Sequence, residues 1–393
     1  MSNETVVIVS GARTPMGGLQ GSLSGVTAVE LGTTAIKAAV ERAGVNPDSI
    51  DEAIIGNVLS AGLRQGPARQ AVLNAGLSKS TGCVTINKLC GSGMQAAMYA
   101  HDLIKAGSAK CVIAGGMESM TNAPHIVMNA RTGVRTGHQQ FLDHMFWDGL
   151  EDASTSRMMG SFAQDTANDN NLTREEMDAF AIESLTRAQN AINGGLLTDE
   201  IAEVTIKTRK GETIVKDDEQ PLTAKIDKIP SLRPAFAKDG TITAANASSI
   251  SDGASALVLM SESEAKAQGL KPLARIVGHA RHSQEPAEFT IAPIGAMQKL
   301  FDNIGWTKDD VDLFEINEAF AMVTMLAIRD FDLDASKVNI YGGACAQGHP
   351  IGSTGSRLLV TLMYALQKQG KKKGVASLCI GGGEATAMAI ELL

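Results

Sequence analysis

Residues 112–118 read VIAGGME, and residues 378–384, near the end of the chain, read LCIGGGE. Two further segments repeat in the same order: DEAIIGN (51–57) over VDLFEIN (311–317), and VTIN (84–87) over VNIY (338–341). A repeat at this long spacing indicates two duplicated halves rather than a solenoid. Chance similarity between short apolar segments is the alternative explanation.

Short apolar runs alternate with helical segments in the first half of the chain. The predicted buried strands are residues 6–9, 53–58, 84–87 and 111–114. Between the first two strands, Thr27 and Glu30 are spaced as a capping box that begins a helix, and Gly44 ends it. Strands that alternate with helices predict an α/β fold with a largely parallel sheet.

The composition is that of an ordinary folded protein. Of the 393 residues, 44% are hydrophobic and 20% are charged, which argues against disorder and allows two or three structural units. No apolar run approaches the ~18 residues of a membrane span, so we expect no membrane partner. The net charge of −8 argues against a nucleic-acid partner.

The five cysteines do not form the pattern of a disulfide framework. Their number is odd, no Cys-x-x-Cys pair occurs, and the chain starts without a signal or transit segment. We therefore expect free thiols and a cytoplasmic location. His279 and His282 lack a nearby carboxylate or cysteine partner, so the sequence predicts no metal site.

Cys90 stands between a predicted strand and a predicted helix. It follows residues 84–87, and Gly91-Ser92-Gly93 then opens a helix that runs to Gly107. A helix N-terminus favours a thiolate and lowers its pKa from about 8.5 toward about 3.5–7.5, although an inert buried cysteine is an equal alternative. The glycines also imitate a dinucleotide-binding motif, but the next strand, 111–114, ends in glycine where that motif requires an acidic residue.

Three other residues stand next to turns where chemistry is possible. His349 precedes Pro350, which holds it in extended geometry among glycines, and it is either a catalytic or a structural histidine. Cys379 precedes glycines 381–383, whose N–H groups suit an oxyanion site, although a glycine-rich turn beside a core thiol is the alternative. Asn317 either caps the helix that follows it or positions a water.

The region between the two halves is unusually charged. Of the 31 residues from 198 to 228, 14 are acidic or basic, well above the average for the chain. We expect a surface insertion here, which is either a solvated face or a lid over a ligand.

Taken together, these motifs resemble the thiolase family over essentially the whole chain. The matching segments are NKLCGSG (87–93), GGMESM (115–120), NEAF (317–320), GHPIG (348–352) and CIGGG (379–383). The resemblance implies two similar βαβαβαββ halves in a five-layered α-β-α-β-α core, with an inserted loop domain over the coenzyme A site. It implies that the first half comprises residues 1–119 and 250–271, the loop domain 120–249, and the second half 272–393.

The resemblance also implies roles for individual residues. Cys90 would accept the acyl group, His349 would activate Cys90, and Cys379 would serve as acid or base at the second acyl-CoA or the leaving CoA thiolate. A water on Asn317 would form one oxyanion site with His349, and the N–H groups of Cys90 and Gly381 would form the other. The residues implied at the CoA and acyl sites are Ser248, Phe236, Met159, Ala319, Phe320 and Phe289.

The implied activity is acyl transfer between coenzyme A thioesters. Two acetyl-CoA would equilibrate with acetoacetyl-CoA and CoA, or a longer 3-ketoacyl-CoA would react in the same way. The family further implies a role in fatty acid metabolism, no prosthetic group, and a homo-oligomer built as a dimer of dimers. The alternatives are a decarboxylating ketoacyl synthase of the same fold, which would not carry a second catalytic thiol such as Cys379, and a non-catalytic acyl-CoA or lipid-binding protein.

Several residues depart from the family pattern near the expected substrate. Phe289-Thr290 resembles the Phe-Pro of relatives that accept 2-methyl substrates, where the more common pair is Met-Gly, so the resemblance implies that an α-methyl group is accepted. The alternative is that Phe289 packs into the core and that Thr290, in place of Pro, lets the loop settle elsewhere. The other departures are Met158 for His, Pro221 for Arg, Tyr341 for Asn, Cys345 for an aliphatic residue, and Glu384 for Gln. Lys225 or Lys228 would compensate for the missing arginine.

Overall fold

The amino-terminal part of the chain alternates strands with helices, as predicted for an α/β fold. The computed structural model describes residues 4–209 and 211–393. The elements before residue 120 are β1 (Val6–Arg13), β2 (Gly17–Gly18), α1 (Ala28–Ala43), β3 (Glu52–Gly56), α2 (Pro67–Asn74), β4 (Gly82–Ile86), α3 (Ser92–Ala106) and β5 (Cys111–Ser119). Thr27 and Glu30 form the predicted capping box before α1, and Gly44 ends that helix in the left-handed conformation.

The middle of the chain forms small elements outside the main sheet. They are β6 (His125–Ile126), β7 (Leu142–Asp143), α4 (Met159–Asp169), α5 (Arg174–Asn193), β8 (Val204–Thr208), β9 (Gly211–Val215) and α6 (Glu219–Thr223). The charged segment 198–228 is only partly solvated. Glu200 and Asp218 are buried, and Arg13 donates to them at 2.5 and 2.7 Å. These ion pairs attach the segment to β1.

After residue 250 the alternation of strands and helices resumes. The elements are β10 (Ser251–Ser261), α7 (Glu262–Ala267), β11 (Ala274–Ser283), α8 (Ala292–Ile304), β12 (Leu313–Ile316), α9 (Ala321–Phe331), α10 (Ala344–Gln347), α11 (Ile351–Gln369), β13 (Lys373–Ile380) and β14 (Glu384–Leu392). Among all the helices in the described residues, none is both long and apolar enough to cross a bilayer.

The two halves of the main sheet share one strand order. The sheet runs β12-β13-β14-β11-β1-β10-β5-β3-β4, and β2 pairs with β10. Neighbours β3 and β4, β3 and β5, and β12 and β13 are parallel, whereas the four central strands β14, β11, β1 and β10 are antiparallel to their neighbours. The prediction of a largely parallel sheet is therefore wrong. No crossover helix separates β13 from β14, so β14 returns antiparallel.

The repeat of residues 84–87 at 338–341 is not a second strand. At the position that β4 occupies in the first half, the second half has an isolated β-bridge between Phe314 and Val338. The side chain of Asn339 replaces the missing ladder, because its amide accepts from the N–H of Ile316 at 2.8 Å and donates to the carbonyl of Ile316 at 2.8 Å. Asn339 itself has φ of +48°, which extended strands exclude.

The helices and sheet halves stack in the expected five layers. Helices α3 and α11 pack on each other between the two sheet halves. Helices α1 and α2 cover the outer face of the first half, and α8 and α9 cover the outer face of the second. The predicted α-β-α-β-α fold is therefore confirmed.

Strand β4 departs from the prediction of a buried strand at 84–87. It pairs with β3 alone among the described strands, and the side chain of Val84 is 43% exposed. An apolar run read from sequence does not distinguish a central strand from an edge strand, because the neighbouring strand decides the burial.

Candidate active site

The residues before α3 and α11 meet at a mainly apolar cavity of about 550 Å³. The predicted site residues that line it are Cys90, His349, Gly381, Ser248, Phe236, Met159, Ala319, Phe320 and Phe289. Asn317 and Cys379 are buried and do not belong to the cavity lining. A π-helical turn at Phe146–Leu150 contributes to the opposite wall, and such turns are frequent at functional sites.

A strained loop presents Cys90 to the cavity. Leu89 has φ of +47°, a conformation that costs of order 1–3 kcal/mol in a residue with a side chain. Hydrogen bonds hold the loop: the N–H of Leu89 donates to Asn87, and Ser92 accepts from the N–H of Lys88 while donating to the carbonyl of Leu89. The thiol is thus fixed by the loop before α3 begins.

The glycine after Cys90 allows close contact with the second half. A Cβ at Gly91 would lie 2.3 Å from the side chain of Ile380, at the end of β13. Any other residue at Gly91 would have to displace the side chain of Ile380, next to Cys379 on the same strand.

The pKa of Cys90 is raised, which corrects the sequence prediction of a lowered value. Burial raises the pKa of Cys90 to about 11, and the N–H groups of Gly381 and Cys90 oppose this rise. Helix α3 starts at Ser92, one residue beyond its N-cap, Gly91. Burial therefore outweighs the helix terminus, and the Cys90 thiol is neutral at rest.

His349 lines the same cavity as Cys90. Its Nδ1 lies 2.6 Å from the hydroxyl of Thr354, and this hydroxyl donates to the carbonyl of Pro350 at 3.0 Å. The hydroxyl therefore accepts from Nδ1–H, which leaves the lone pair on Nε2. Burial, and then the charge of Arg357, lower the pKa of His349 to about 3, so the ring is neutral. Sequence reasoning missed Thr354, although it lies within the helix start that follows GHPIG.

Two polar groups of the site have no protein partner among the described residues. These are the side-chain amide of Asn317, both atoms of which are buried, and Nε2 of His349. The interpretation of Asn317 as a helix cap is wrong, since α9 begins at Ala321 with Phe320 as its N-cap. Because an unsatisfied buried polar group costs about 1–3 kcal/mol, both groups are suited to bind polar atoms of a ligand or water.

Cys379 is the second thiol of the site. It lies on β13, is fully buried, and packs in the same apolar cluster as Phe289 and Phe320. Burial, and then the neighbouring charge of Cys90, raise the pKa of Cys379 well above its ordinary value. The two thiols thus disfavour simultaneous ionisation, so a single proton acceptor can serve them in turn.

Glu118 accepts hydrogen bonds from both halves of the chain beside the site. No role was predicted for it from the sequence. Its buried carboxylate accepts from the N–H groups of Val58 and Leu59 at 3.0 and 3.1 Å, and from Gly352 at 2.9 Å. Gly352 belongs to the first turn of α11, directly after His349. Burial raises the pKa of Glu118 to about 7. The sequence feature that could have identified Glu118 is its position in the repeated segment 112–118.

Aromatic residues form the outer part of the cavity. The ring of Phe236 packs edge-on against Phe320, with centroids 6.2 Å apart. Gly160 makes room for this ring, because a Cβ there would lie 2.2 Å from it. Ser248 is held beside them by its N–H, which donates to the carbonyl of Ala319 at 2.9 Å.

Among the residues that depart from the family pattern, Met158 and Phe289 line the cavity. Thr290, next to Phe289, is buried, and its hydroxyl lies 2.9 Å from that of Thr166. The remaining departures make local contacts: the carbonyl of Pro221 with Gln189, Tyr341 with Gln369, Cys345 with Glu318, and Glu384 with Lys88. Met158 and Phe289 are therefore the two departures that contact the cavity directly.

Residues 6–263 match the family described as Thiolase, N-terminal domain, and residues 270–392 match Thiolase, C-terminal domain. The chain belongs to the thiolase family. A curated relative from Dictyostelium discoideum, "Probable acetyl-CoA acetyltransferase", is 49% identical over 99% of this chain and 94% of its own length. The "Acetyl-CoA acetyltransferase" of Pseudomonas aeruginosa is 45% identical over 98% of this chain and 99% of its own length.

Solved structures of similar proteins agree with this assignment. The Bacillus anthracis acetyl-CoA acetyltransferase superimposes with a TM-score of 0.96 at 42% identity, and covers 99% of both chains. A thiolase from Ascaris suum, solved in complex with coenzyme A, gives a TM-score of 0.94 at 41% identity, over 99% of this chain and 100% of its own. The sequence predictions of a thiolase and of an acyltransferase are confirmed, and the alternative functions are not favoured.

Proposed function

We propose that this thiolase catalyses reversible acetyl transfer, in which two acetyl-CoA give acetoacetyl-CoA and CoA, with longer 3-ketoacyl-CoA as further substrates. One observation carries the proposal: Cys90 and the unpartnered Nε2 of His349 belong to the same apolar cavity. The names of the relatives, and the Ascaris suum thiolase in complex with coenzyme A, support coenzyme A thioesters as its substrates.

The first half-reaction transfers the acyl group to Cys90. Nε2 of His349 takes the thiol proton, and the thiolate forms a bond to the thioester carbonyl carbon. Collapse of the tetrahedral intermediate breaks the carbon–sulfur bond to CoA. The departing CoA sulfur takes the proton of Cys379, which leaves Cys379 as a thiolate opposite a protonated His349.

The second half-reaction forms the carbon–carbon bond. The Cys379 thiolate removes a proton from the α-carbon of a second acetyl-CoA, and the resulting carbanion attacks the acyl carbon on Cys90. When this intermediate collapses, the sulfur of Cys90 leaves and recovers its proton from His349. The enzyme returns to two neutral thiols and a neutral imidazole, in accordance with the raised pKa values of both cysteines and the lowered pKa of His349.

Two oxyanion sites stabilise the negative charge that develops in these steps. The N–H groups of Cys90 and Gly381 donate to the acyl carbonyl. The same two N–H groups oppose the rise that burial causes in the pKa of Cys90. A water on Asn317 and the ring of His349 serve the other thioester carbonyl. The unpaired amide of Asn317 and the unpaired Nε2 of His349 support this second site.

The substrate lies along the aromatic part of the cavity. Ser248, Phe236, Met159, Ala319, Phe320 and Phe289 hold the pantetheine and acyl parts of coenzyme A, because all of them line the cavity. Lys225 and Lys228 line a smaller neighbouring cavity that shares Gln220 and Ala244 with the first. Their ammonium groups are suited to the phosphates of the nucleotide end. No prosthetic group is needed for this chemistry.

We also propose that the chain is divided into two halves and a loop domain. The first half comprises residues 1–119 and 250–271, the loop domain 120–249, and the second half 272–393. The interruption of the first half by elements outside the main sheet supports these limits.

We infer that the enzyme functions as a dimer of dimers in the cytoplasm, in fatty acid metabolism. The unpaired edge of β4 and the exposed side chains of Val84 and Tyr99 support self-association. The free state of all five cysteines supports a reducing compartment.

Denaturing mass spectrometry after exposure to labelled acetyl-CoA tests the proposal. The native enzyme gains a covalent acetyl group on Cys90, and Cys90→Ala gains none. Cys83→Ala, which removes a half-buried thiol outside the cavity, is the matched control and keeps the label. Wild-type labelling of Cys90→Ala would show that another residue is the nucleophile.

A further inference from the structure

Two histidines and an aspartate from different halves converge at the surface. The sequence offered no partner for His279, but the fold brings it to Asp102, with 3.0 Å between Nε2 and Oδ1. His101 lies on α3 beside Asp102, and His279 lies on β11. Nδ1 of His101 is 3.0 Å from Oδ1 of Asp102 and 3.2 Å from Nε2 of His279.

The three atoms therefore form a nearly regular triangle. Zn²⁺ binds imidazole nitrogen and carboxylate oxygen at about 2.0–2.2 Å, so neighbouring ligands around a tetrahedral ion stand about 3.2–3.6 Å apart. The observed separations of 3.0–3.2 Å are close to this spacing. All three side chains offer their ligand atoms without a rearrangement of the backbone.

Hydrogen bonds between the three side chains are compatible with this geometry, since either imidazole can present a proton or a lone pair to its neighbour. When both nitrogens present lone pairs, the two imidazoles and the carboxylate oxygen are three ligand atoms directed at one point.

We propose that His101, Asp102 and His279 form a binding site for a divalent transition-metal ion of the zinc and nickel class, apart from the acyl cavity. Imidazole suits these ions, and the single carboxylate is compatible with them. The imidazoles are mostly buried, with side chains 12% and 15% exposed, whereas Asp102 is 53% exposed and leaves room for a water ligand.

The bound ion would connect the two halves of the chain. His101 and Asp102 are three turns along the helix that follows Cys90, and His279 belongs to the second sheet half. Because the ion binds the folded chain and not the separated ligands, it stabilises the native structure in proportion to its concentration. Its role is structural, and acyl transfer continues without it.

Anomalous diffraction from a crystal of the full chain soaked in ZnCl₂ tests the site directly. We expect a zinc peak about 2.0–2.2 Å from the three named atoms. Zinc bound at the cysteines alone, with no peak at this cluster, would overturn the proposal.

Calorimetric titration of the chain, without a histidine tag, with Ni²⁺ gives the solution test. We expect His279→Ala and Asp102→Asn each to weaken binding at least about 10-fold, while His125→Ala, which removes an exposed histidine elsewhere, has no effect. Ni²⁺ should raise the melting temperature of the native chain and of His125→Ala, but not of His279→Ala. Equal affinity in all variants would overturn the proposal, and Asp102→Asn, at an exposed position, keeps the test valid if His279→Ala does not fold.

Discussion

The hydroxyl oxygen of Thr354 lies 2.6 Å from Nδ1 of His349, and its own proton is committed to the carbonyl of Pro350. This hydrogen bond fixes the tautomer of the His349 imidazole. Thr354 lies in the first turn of α11, the helix that follows His349. The ring of His349 is therefore oriented by a residue that does not itself line the cavity.

Thr354→Val keeps the size of the side chain and removes the hydroxyl. We expect acyl transfer to Cys90 to fall roughly 10- to 100-fold, part of the 10²–10⁴-fold that a positioned base supplies, with little change in KM. Thr354→Ser should restore most of the rate, because it restores the acceptor. Stopped-flow measurement of the acylation step checks this. An unchanged rate in Thr354→Val would mean that Thr354 does not orient His349.

Alkylation of Cys90 by iodoacetamide should rise steeply with pH. With a pKa of about 11, the thiolate fraction is small at neutral pH and increases tenfold with each unit. We expect the rate to increase about 100-fold from pH 7 to pH 9, with no step from His349, whose pKa is about 3. Mass spectrometry of the labelled peptide measures it, and Cys90→Ser gives the background from Cys83. A plateau from pH 6 upward would show a preformed thiolate instead.

Cys379→Ala should separate the two half-reactions. Labelling of Cys90 by acetyl-CoA should weaken but stay detectable, since His349 still activates the thiol. Condensation should fall much further, by roughly 10²–10⁴-fold, because the base for the α-carbon is lost. Cys111→Ala, which removes a buried thiol on β5 away from the cavity, serves as the control. Equal losses in both steps would argue against separate roles.

Phe289 should determine whether an α-methyl group is accepted. Its ring lines the acyl cavity, and a flat wall leaves room that a flexible methionine would fill. We expect similar rates of thiolysis for 2-methylacetoacetyl-CoA and acetoacetyl-CoA. Phe289→Met should lower that ratio by about 10-fold or more, since one methyl group is worth about 1–3 kcal/mol.

The control for this prediction is Phe301→Met, at a buried phenylalanine of the outer core of the second half. It should leave the ratio of the two thiolysis rates unchanged. Negligible turnover of the methylated substrate by the native enzyme, with normal turnover of acetoacetyl-CoA, would contradict the prediction.

The sequence predicted best where the signal is local. The capping box at Thr27, the glycine turns around His349, and the place of Cys90 before a helix are all read from a few neighbouring residues. These signals, together with the family motifs, were enough to predict the layers of the fold and the residues of the cavity.

What the sequence could not predict depends on segments that are distant along the chain. The raised pKa of Cys90 follows from its burial, and residues 338–341, the repeat of 84–87, are held by the side chain of Asn339 and form no strand. His279 and Asp102 are 177 residues apart in sequence, so their contact has no local signature. Burial and pairing are tertiary properties, and a periodic pattern does not contain them.

The packing of α3 on α11 has a further consequence for how loss of function should be interpreted. Cys90 precedes one helix and His349 the other, so the two residues reach the same cavity only when the halves pack correctly, with the carboxylate of Glu118 in the first half accepting from the N–H of Gly352 in the second. A misplacement of about 1 Å at such a site can cost about 100-fold in rate. The rate of turnover is thus sensitive to how the two halves pack against each other. A variant can therefore lose its activity while each half keeps its full secondary structure.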